Sequence, residues 1–246
     1  MGQNFLARVI NLDKDMDRLA RMGGQFENAG ISFTRVPAIF GNTPPAYLAA
    51  QFKDTPLTAG EIGCYASHLL AMADIEIPTL ICEDGITIQD PASFRNTLNA
   101  ALDHLPAGWD YVHLMTAKKA TVPVAQIASG IDLVRHSKIP RGCCAYLISP
   151  QGARKFLKPT PRQWTIDDDI KTYWRFDLDI YGLQPGLVKR SKLKSTIDSI
   201  QPRGAKFQHF RTLSFDRFTK GIPRNIRNLG FQPWLVCQFK NLVGVR

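Results

Sequence analysis

Pro78-Thr79-Leu80-Ile81-Cys82-Glu83-Asp84-Gly85-Ile86-Thr87-Ile88 is an apolar run that ends abruptly in two adjacent carboxylates and a glycine. A buried strand that delivers acids to its carboxyl end is how open α/β sheets place charge beside a ligand. Gly85 lacks a Cβ, so the backbone there can turn sharply or let a phosphate approach closely. The same residues also read as an ordinary strand end followed by an Asp-Gly hairpin turn, and the segment alone favours that plainer reading.

Upstream, Phe5 to Leu12 has the pattern of a buried strand. Asp13 to Asp17 supplies the cap of a helix that runs to about Ala29, with Leu19, Met22, Phe26 and Ala29 at helical spacing. Arg18 sits on its first turns, where it can reach a phosphate or simply stay solvated. Ile31 to Ala38 reads as a second strand, terminated by Pro37. A strand–helix–strand start predicts a parallel sheet. Leu57 to Glu61 then opens another helix, with Thr58 as N-cap and Glu61 at the capping-box position. Ser67 and His68 follow on it. Adjacent helical residues diverge by about 100°, which argues against a nucleophile–base pair and leaves His68 open to either a polar core contact or a site role.

Downstream, Asp90 to Leu105 reads as a helix and Trp109 to Leu114 as a strand in which His113 is a core histidine. Residues 118–138 carry weak patterning and read as loop with a short strand. Gly142 to Ser149 is a strand of small residues, which implies close packing against it, and Pro150 to Leu157 a helix. Trp164 to Ile170 places Asp167, Asp168 and Asp169 at a helix start, more acid than the helix dipole needs. Asp179 to Val188 forms a last strand and turn.

Composition restricts the partners. The 246 residues, 44% hydrophobic and 21% charged, describe a globular chain with a substantial core. Its formal net charge of +10 is concentrated after Lys189, where Asp198 and Asp216 are the only acids. Cys64, Cys82, Cys143, Cys144 and Cys237 lack the CxxC spacing of a zinc or redox site and read as reduced core residues of a cytosolic protein. Met1 to Leu12 has no signal-peptide pattern, and no stretch approaches the roughly 20 apolar residues that span a bilayer.

The order of these segments resembles glycosyltransferase family 25, the bacterial lipooligosaccharide and lipopolysaccharide transferases related to collagen galactosyltransferases. Val9-Ile10-Asn11-Leu12 with Asp17-Arg18 is similar to the family's opening strand and helix, and Val36 to Gly41 to the turn that follows. Leu57 to His68 is the most specific match; Glu83-Asp84, Gly142 to Ala153 and Ile166-Asp167 complete it. The resemblance implies an α/β fold of GT-A type, Rossmann-like with a mostly parallel central sheet and flanking helices. It covers a transferase domain at 1–188, followed by a basic, aromatic-containing extension at 189–246.

The resemblance further implies an inverting transferase that moves a hexose, with galactose from a UDP donor as first choice, onto a lipooligosaccharide or other surface-glycan acceptor. Asn11, Leu12, Arg18, Ser67, His68 and Gly85 would line the nucleotide sugar. Glu83 and Asp84 would hold a divalent ion, Mn²⁺ or Mg²⁺, which prefers oxygen ligands. Asp167, with Asp168 second, would be the base. Gly85 departs from the pattern, which commonly has a third acid there. An alternative is therefore a non-catalytic binding or scaffold protein that has lost turnover at the acidic motif. The C-terminal extension interleaves basic residues with Phe207, Phe210, Phe215, Phe218, Phe231, Trp234 and Phe239. It suits an anionic inner-membrane surface near a lipid-linked acceptor or a solvated helical subdomain, with nucleic acid ranked well below. The expected location is cytoplasmic, peripheral on the inner membrane if the extension binds lipid.

Overall fold

The computed structural model describes residues 2–193 and 215–244. Strand β1 (Leu6–Asn11), helix α1 (Met16–Asn28) and strand β2 (Thr34–Pro37) open the chain, and β1 and β2 pair in parallel. After the short α2 (Ala46–Ala49), helix α3 (Ala59–Met72) leads into β3 (Thr79–Glu83), which lies parallel to β1 on its other side. The capping box of α3 is complete: the Thr58 hydroxyl accepts from the Glu61 N–H, and the Glu61 carboxylate accepts from the Thr58 N–H. Asp15 stands at the N-cap of α1 without a side-chain cap bond.

Asp84-Gly85 is a turn after the strand end, as the plainer reading has it, but it does not close a hairpin, since β3 pairs with β1 and with a later strand. Strand β4 (Ile86–Ile88) leaves the main sheet and pairs instead with β10 (Val188–Arg190), and the Ser191 N–H donates to the Gly85 carbonyl at 2.8 Å. That strand crosses residue 188, where the sequence placed a domain end. Helix α4 (Pro91–His104) then returns to β5 (Tyr111–His113).

Residues 118–138 differ most from expectation. They form β6 (Thr121–Ala128) and β7 (Ile131–His136), a long antiparallel pair with register shifts beside Pro123 and Gln126. Much of β6 is solvent-exposed because it is an edge strand. With no buried face along most of its length, it lacks the apolar alternation by which strands are recognised, and Pro123 is tolerated at such an edge.

Strands β8 (Ala145–Ile148) and β9 (Ile180–Gln184) complete an eight-stranded sheet in the order β2-β1-β3-β8-β5-β9-β7-β6. β8 and β7 run against the other six, so the sheet is mixed but mostly of one direction. Its two faces follow the period of two: Leu80 and Cys82 of β3 join the layer containing Met22, Phe26 and Phe94, while Ile81 joins Tyr65, Leu69 and Phe156 on the other side. Helices α1 and α4 cover the first face. Helices α3, α5 (Pro150–Leu157) and α6 (Ile166–Lys171) cover the second. This is the expected α/β architecture. Helices α7 (Ile222–Leu229) and α8 (Phe231–Val243) follow; Phe207 and Phe210 lie outside the described residues.

His113 is a core histidine, as its alternation implies, and packs edge-on to the buried His136. The His136 ring lies on Gly182 of β9, where any Cβ would collide with it. Burial pushes the His113 pKa down from 6.5 to about 4 and that of His136 to about 3. Both rings are therefore neutral in the folded chain, and the unfolded chain takes up more protons below pH 6.5. The stability they contribute is complete above pH 6.5 and is lost as pH falls towards their folded values, by up to about 1.4 kcal/mol per histidine per pH unit. Urea unfolding between pH 7 and pH 5 should show this decline, and His113→Gln should flatten it. A wild-type curve without slope would contradict it.

Candidate active site

An open cavity lies at the carboxyl ends of β1 and β3. Asn11, Leu12 and Arg18 line it from β1 and α1, and the loop 38–41 from beyond β2. Ser67, His68 and Cys64 face it from α3, and Glu83, Asp84 and Gly85 from the end of β3. Arg190 of β10 and Ser191 just after it close the cavity. The eight residues expected to bind nucleotide sugar or metal, scattered between positions 11 and 85, thus share one cavity.

The two carboxylates point apart. Asp84 is buried: Asn11 Nδ2 donates to its Oδ2 at 2.8 Å, and the Arg18 guanidinium lies 3.6 Å from Oδ1. Burial raises its pKa, against the lowering effect of the Asn11 bond and Arg18. Arg21 donates to the Asp84 carbonyl at 2.7 Å. Glu83 instead faces α3, with Oε1 3.2 Å from His68 Nε2. The other ring nitrogen of His68, Nδ1, lies 2.9 Å from the Tyr146 hydroxyl, and the two rings stack.

Helix α3 reaches the cavity because of Gly63. A Cβ there would lie 2.5 Å from the Ile39 carbonyl and 2.7 Å from that of Gly41, so only glycine lets the 39–41 loop lie against the helix. Ser67 fixes the same contact, since its hydroxyl accepts from the Ile39 N–H at 2.8 Å and donates to the Gly63 carbonyl. Ser67 therefore shapes the wall, and it does not pair with His68.

The three consecutive acids divide into three tasks. Asp168 belongs to its own helix start, accepting from the Thr165 hydroxyl at 2.9 Å and from Lys171 at 2.6 Å. Asp169 is buried, bonded to Tyr65 and Arg175 and 3.8 Å from the fully buried Arg162. Asp167 alone turns towards the cavity rim: Oδ1 accepts from the Cys143 N–H at 2.8 Å and its thiol at 2.7 Å, and Oδ2 lies 4.0 Å from Arg190 Nη2. Neither Asp167 nor Asp168 lines the cavity itself.

Residues 4–172 match the family model described as glycosyltransferase family 25 (LPS biosynthesis protein). The chain belongs to glycosyltransferase family 25. It is 26% identical over 182 residues to a glycosyltransferase 25 family member of Aedes aegypti, covering 65% of this chain and 29% of that one. Procollagen galactosyltransferase 1-A of Xenopus laevis is 26% identical over 172 residues, 62% of this chain and 28% of that one. The inactive glycosyltransferase 25 family member 3 of Mus musculus is 25% identical over 212 residues, 72% and 35%. The chain thus spans about a third or less of these relatives.

In this family 25 chain the all-oxygen metal pair is not assembled. Asp84 is committed to Asn11 and Arg18, and Glu83 looks the other way, so a hard cation finds one carboxylate rather than two. What does gather around Glu83 is His68 and Cys64, whose ligand atoms all lie within 4.8 Å of one another. Cys64, which the sequence places among the core cysteines, is half-buried, packing against the core on one side and lining the cavity on the other; the signal that marks it is its position four residues before His68 on one helix face. Arg190 also escaped the sequence reading, since only the β4–β10 pairing brings residue 190 to the acidic strand end.

Gly85 has no structural need to be glycine. A Cβ there would meet nothing within 4 Å, and its φ is not in the left-handed range. Gly85→Asp should therefore fold with stability changed by no more than about 0.5 kcal/mol and should add an oxygen ligand. The expected readout is a Mn²⁺-dependent rise in melting temperature larger than in the wild type. A destabilised variant would show that the site is closed to a side chain.

Proposed function

We propose that this chain is an inverting glycosyltransferase that moves a hexose from a nucleotide sugar to a glycan acceptor. The observation that carries this reading is the convergence of Asn11, Arg18, His68, Glu83 and Gly85 on one cavity at the carboxyl ends of two parallel strands, the position where open α/β sheets bind nucleotides. A departing diphosphate gains negative charge. Arg18 and Arg190, both on the cavity, are suited to oppose it, while the neutral, unhindered Gly85 leaves room for phosphate oxygens. Galactose is the first choice of sugar because a relative is named a galactosyltransferase, with UDP as the proposed nucleotide, and a lipooligosaccharide or other surface-glycan acceptor is proposed because the family description names LPS biosynthesis. Asp167 is the proposed base, held at the rim by Cys143 and Arg190.

Thermal protection by a panel of nucleotide sugars, followed by a transfer assay, tests the reading. The expected result is protection by UDP-galactose and transfer to a lipooligosaccharide acceptor. Asp167→Asn should lower kcat by about 10²–10⁴ while protection persists; unchanged transfer would remove Asp167 as base. Protection without turnover would favour the runner-up, a binding or scaffold protein, which the name of the inactive mouse relative supports.

We further propose that the C-terminal region rests on an anionic cytoplasmic membrane surface. Among the described residues no helix is long and apolar enough to cross a membrane. Yet Phe231, Leu235, Phe239 and Leu242 of α8 are exposed, alongside Lys240 and the Arg227 of α7. Apolar side chains beside cations suit a lipid interface. Anionic vesicles should retain the chain, less so at high salt and less so for Phe239→Asp. Equal retention by zwitterionic vesicles, or none by either, would refute this.

A further inference from the structure

We propose that Cys64, His68 and Glu83 form a binding site for a divalent cation of the zinc class in the wall of the cavity. The two helical ligands are four residues apart, so they project from the same face of α3, and Glu83 meets them from the end of β3. The thiol sulfur, imidazole nitrogen and carboxylate oxygen all lie within 4.8 Å of one another, and His68 Nε2 is 3.2 Å from Glu83 Oε1. Tetrahedral ligands at bond lengths of about 2.0–2.3 Å stand about 3.3–3.8 Å apart. The observed spacing therefore needs only a small side-chain closure around an ion, and two of the three groups are already at that separation.

The donor chemistry selects the ion. One thiolate and one imidazole against one carboxylate suit Zn²⁺ or Co²⁺, while Mn²⁺ and Mg²⁺ favour oxygen. The surroundings resemble those of a metal-bound histidine. His68 is buried and its Nδ1 is engaged by the Tyr146 hydroxyl, which fixes the ring and leaves Nε2 directed at Glu83 and Cys64. Three protein ligands leave one tetrahedral position, which is the pattern of sites that accept a water or an exogenous anion. All three residues line the cavity, so an oxygen ligand such as a phosphate can fill that place.

This inference rests on the cavity geometry and stands apart from the transferase reading, because cation binding is measured with no sugar nucleotide present. The full chain, stripped with a chelator, is titrated with Zn²⁺, Co²⁺ and Mn²⁺ separately. The expected result is one Zn²⁺ per chain and a Co²⁺ form with tetrahedral d–d bands and a thiolate-to-cobalt charge-transfer band. Mn²⁺ at equal concentration should not displace either. Cys64→Ser, a near-isosteric change, should abolish the charge-transfer band and weaken Zn²⁺ at least tenfold. Glu83→Gln should weaken Zn²⁺ but keep the band, and Cys144→Ser should keep both. Circular dichroism confirms that each variant is folded. Absence of Zn²⁺ binding, or a charge-transfer band that survives Cys64→Ser, would overturn the proposal.

Discussion

The site depends on a reversal in the direction of winding. From β1 the chain passes through α1 to β2 on one side, and then through α3 to β3 on the opposite side of β1. Helices α1 and α3 consequently lie on opposite faces, and the gap between the carboxyl ends of β1 and β3 opens into the cavity. The Asp84 N–H donates to the Ile10 carbonyl at 3.2 Å, carrying the ladder to the rim of that gap. Asn11 and Glu83-Asp84 are thereby held side by side, each at the end of a buried strand whose position is fixed by two neighbours.

A second constraint holds α3 in place. Arg162 is completely buried, donating to Gln51, to the Tyr65 hydroxyl and to the Phe156 carbonyl, with its guanidinium beside the Tyr65, Phe156 and Phe176 rings. Asp169 provides the countercharge, and Tyr65 bridges the two. Removing one partner of such a buried pair costs about 3–5 kcal/mol. Tyr65 lies on α3 one residue after Cys64 and three before His68. The network that neutralises a buried arginine therefore also sets the rotation of the helix that faces Glu83.

Much of this was legible in the sequence because it is local. The capping box at Thr58-Glu61, the apolar run into Glu83 and the start of α5 after Ser149 each depend on residues within one element. The cavity residues of β1 and α3 were reached through the family resemblance, and the acids of β3 through their place at the end of an apolar run. What stayed hidden depends on long-range pairing. The edge pair β6–β7 has too little buried face to show a period, and Arg190 reaches the cavity only through β10. The three acids Asp167 to Asp169 look equivalent in sequence. Helical rotation of about 100° per residue sends them to three different partners.

The divergence of Glu83 and Asp84 follows from the same pleat that buries the strand. Successive side chains leave a strand on opposite faces, so an adjacent acid pair at its end serves two faces and cannot chelate one ion unless the chain bends back. Here the turn at Asp84-Gly85 does not bring the two carboxylates together: the backbone goes on to β4, held by the Ser191 bond to Gly85. Asp84 joins Asn11 and Arg18 on the α1 side, where it orders the strand end. Glu83 joins His68 and Cys64 on the α3 side, where its carboxylate is still a third exposed. An acid at position 85 would add an oxygen ligand in open space, and glycine leaves Glu83 with nitrogen and sulfur neighbours instead. The identity of residue 85 therefore bears on which ligands the cavity can offer, while the fold around it places no steric demand on that side chain.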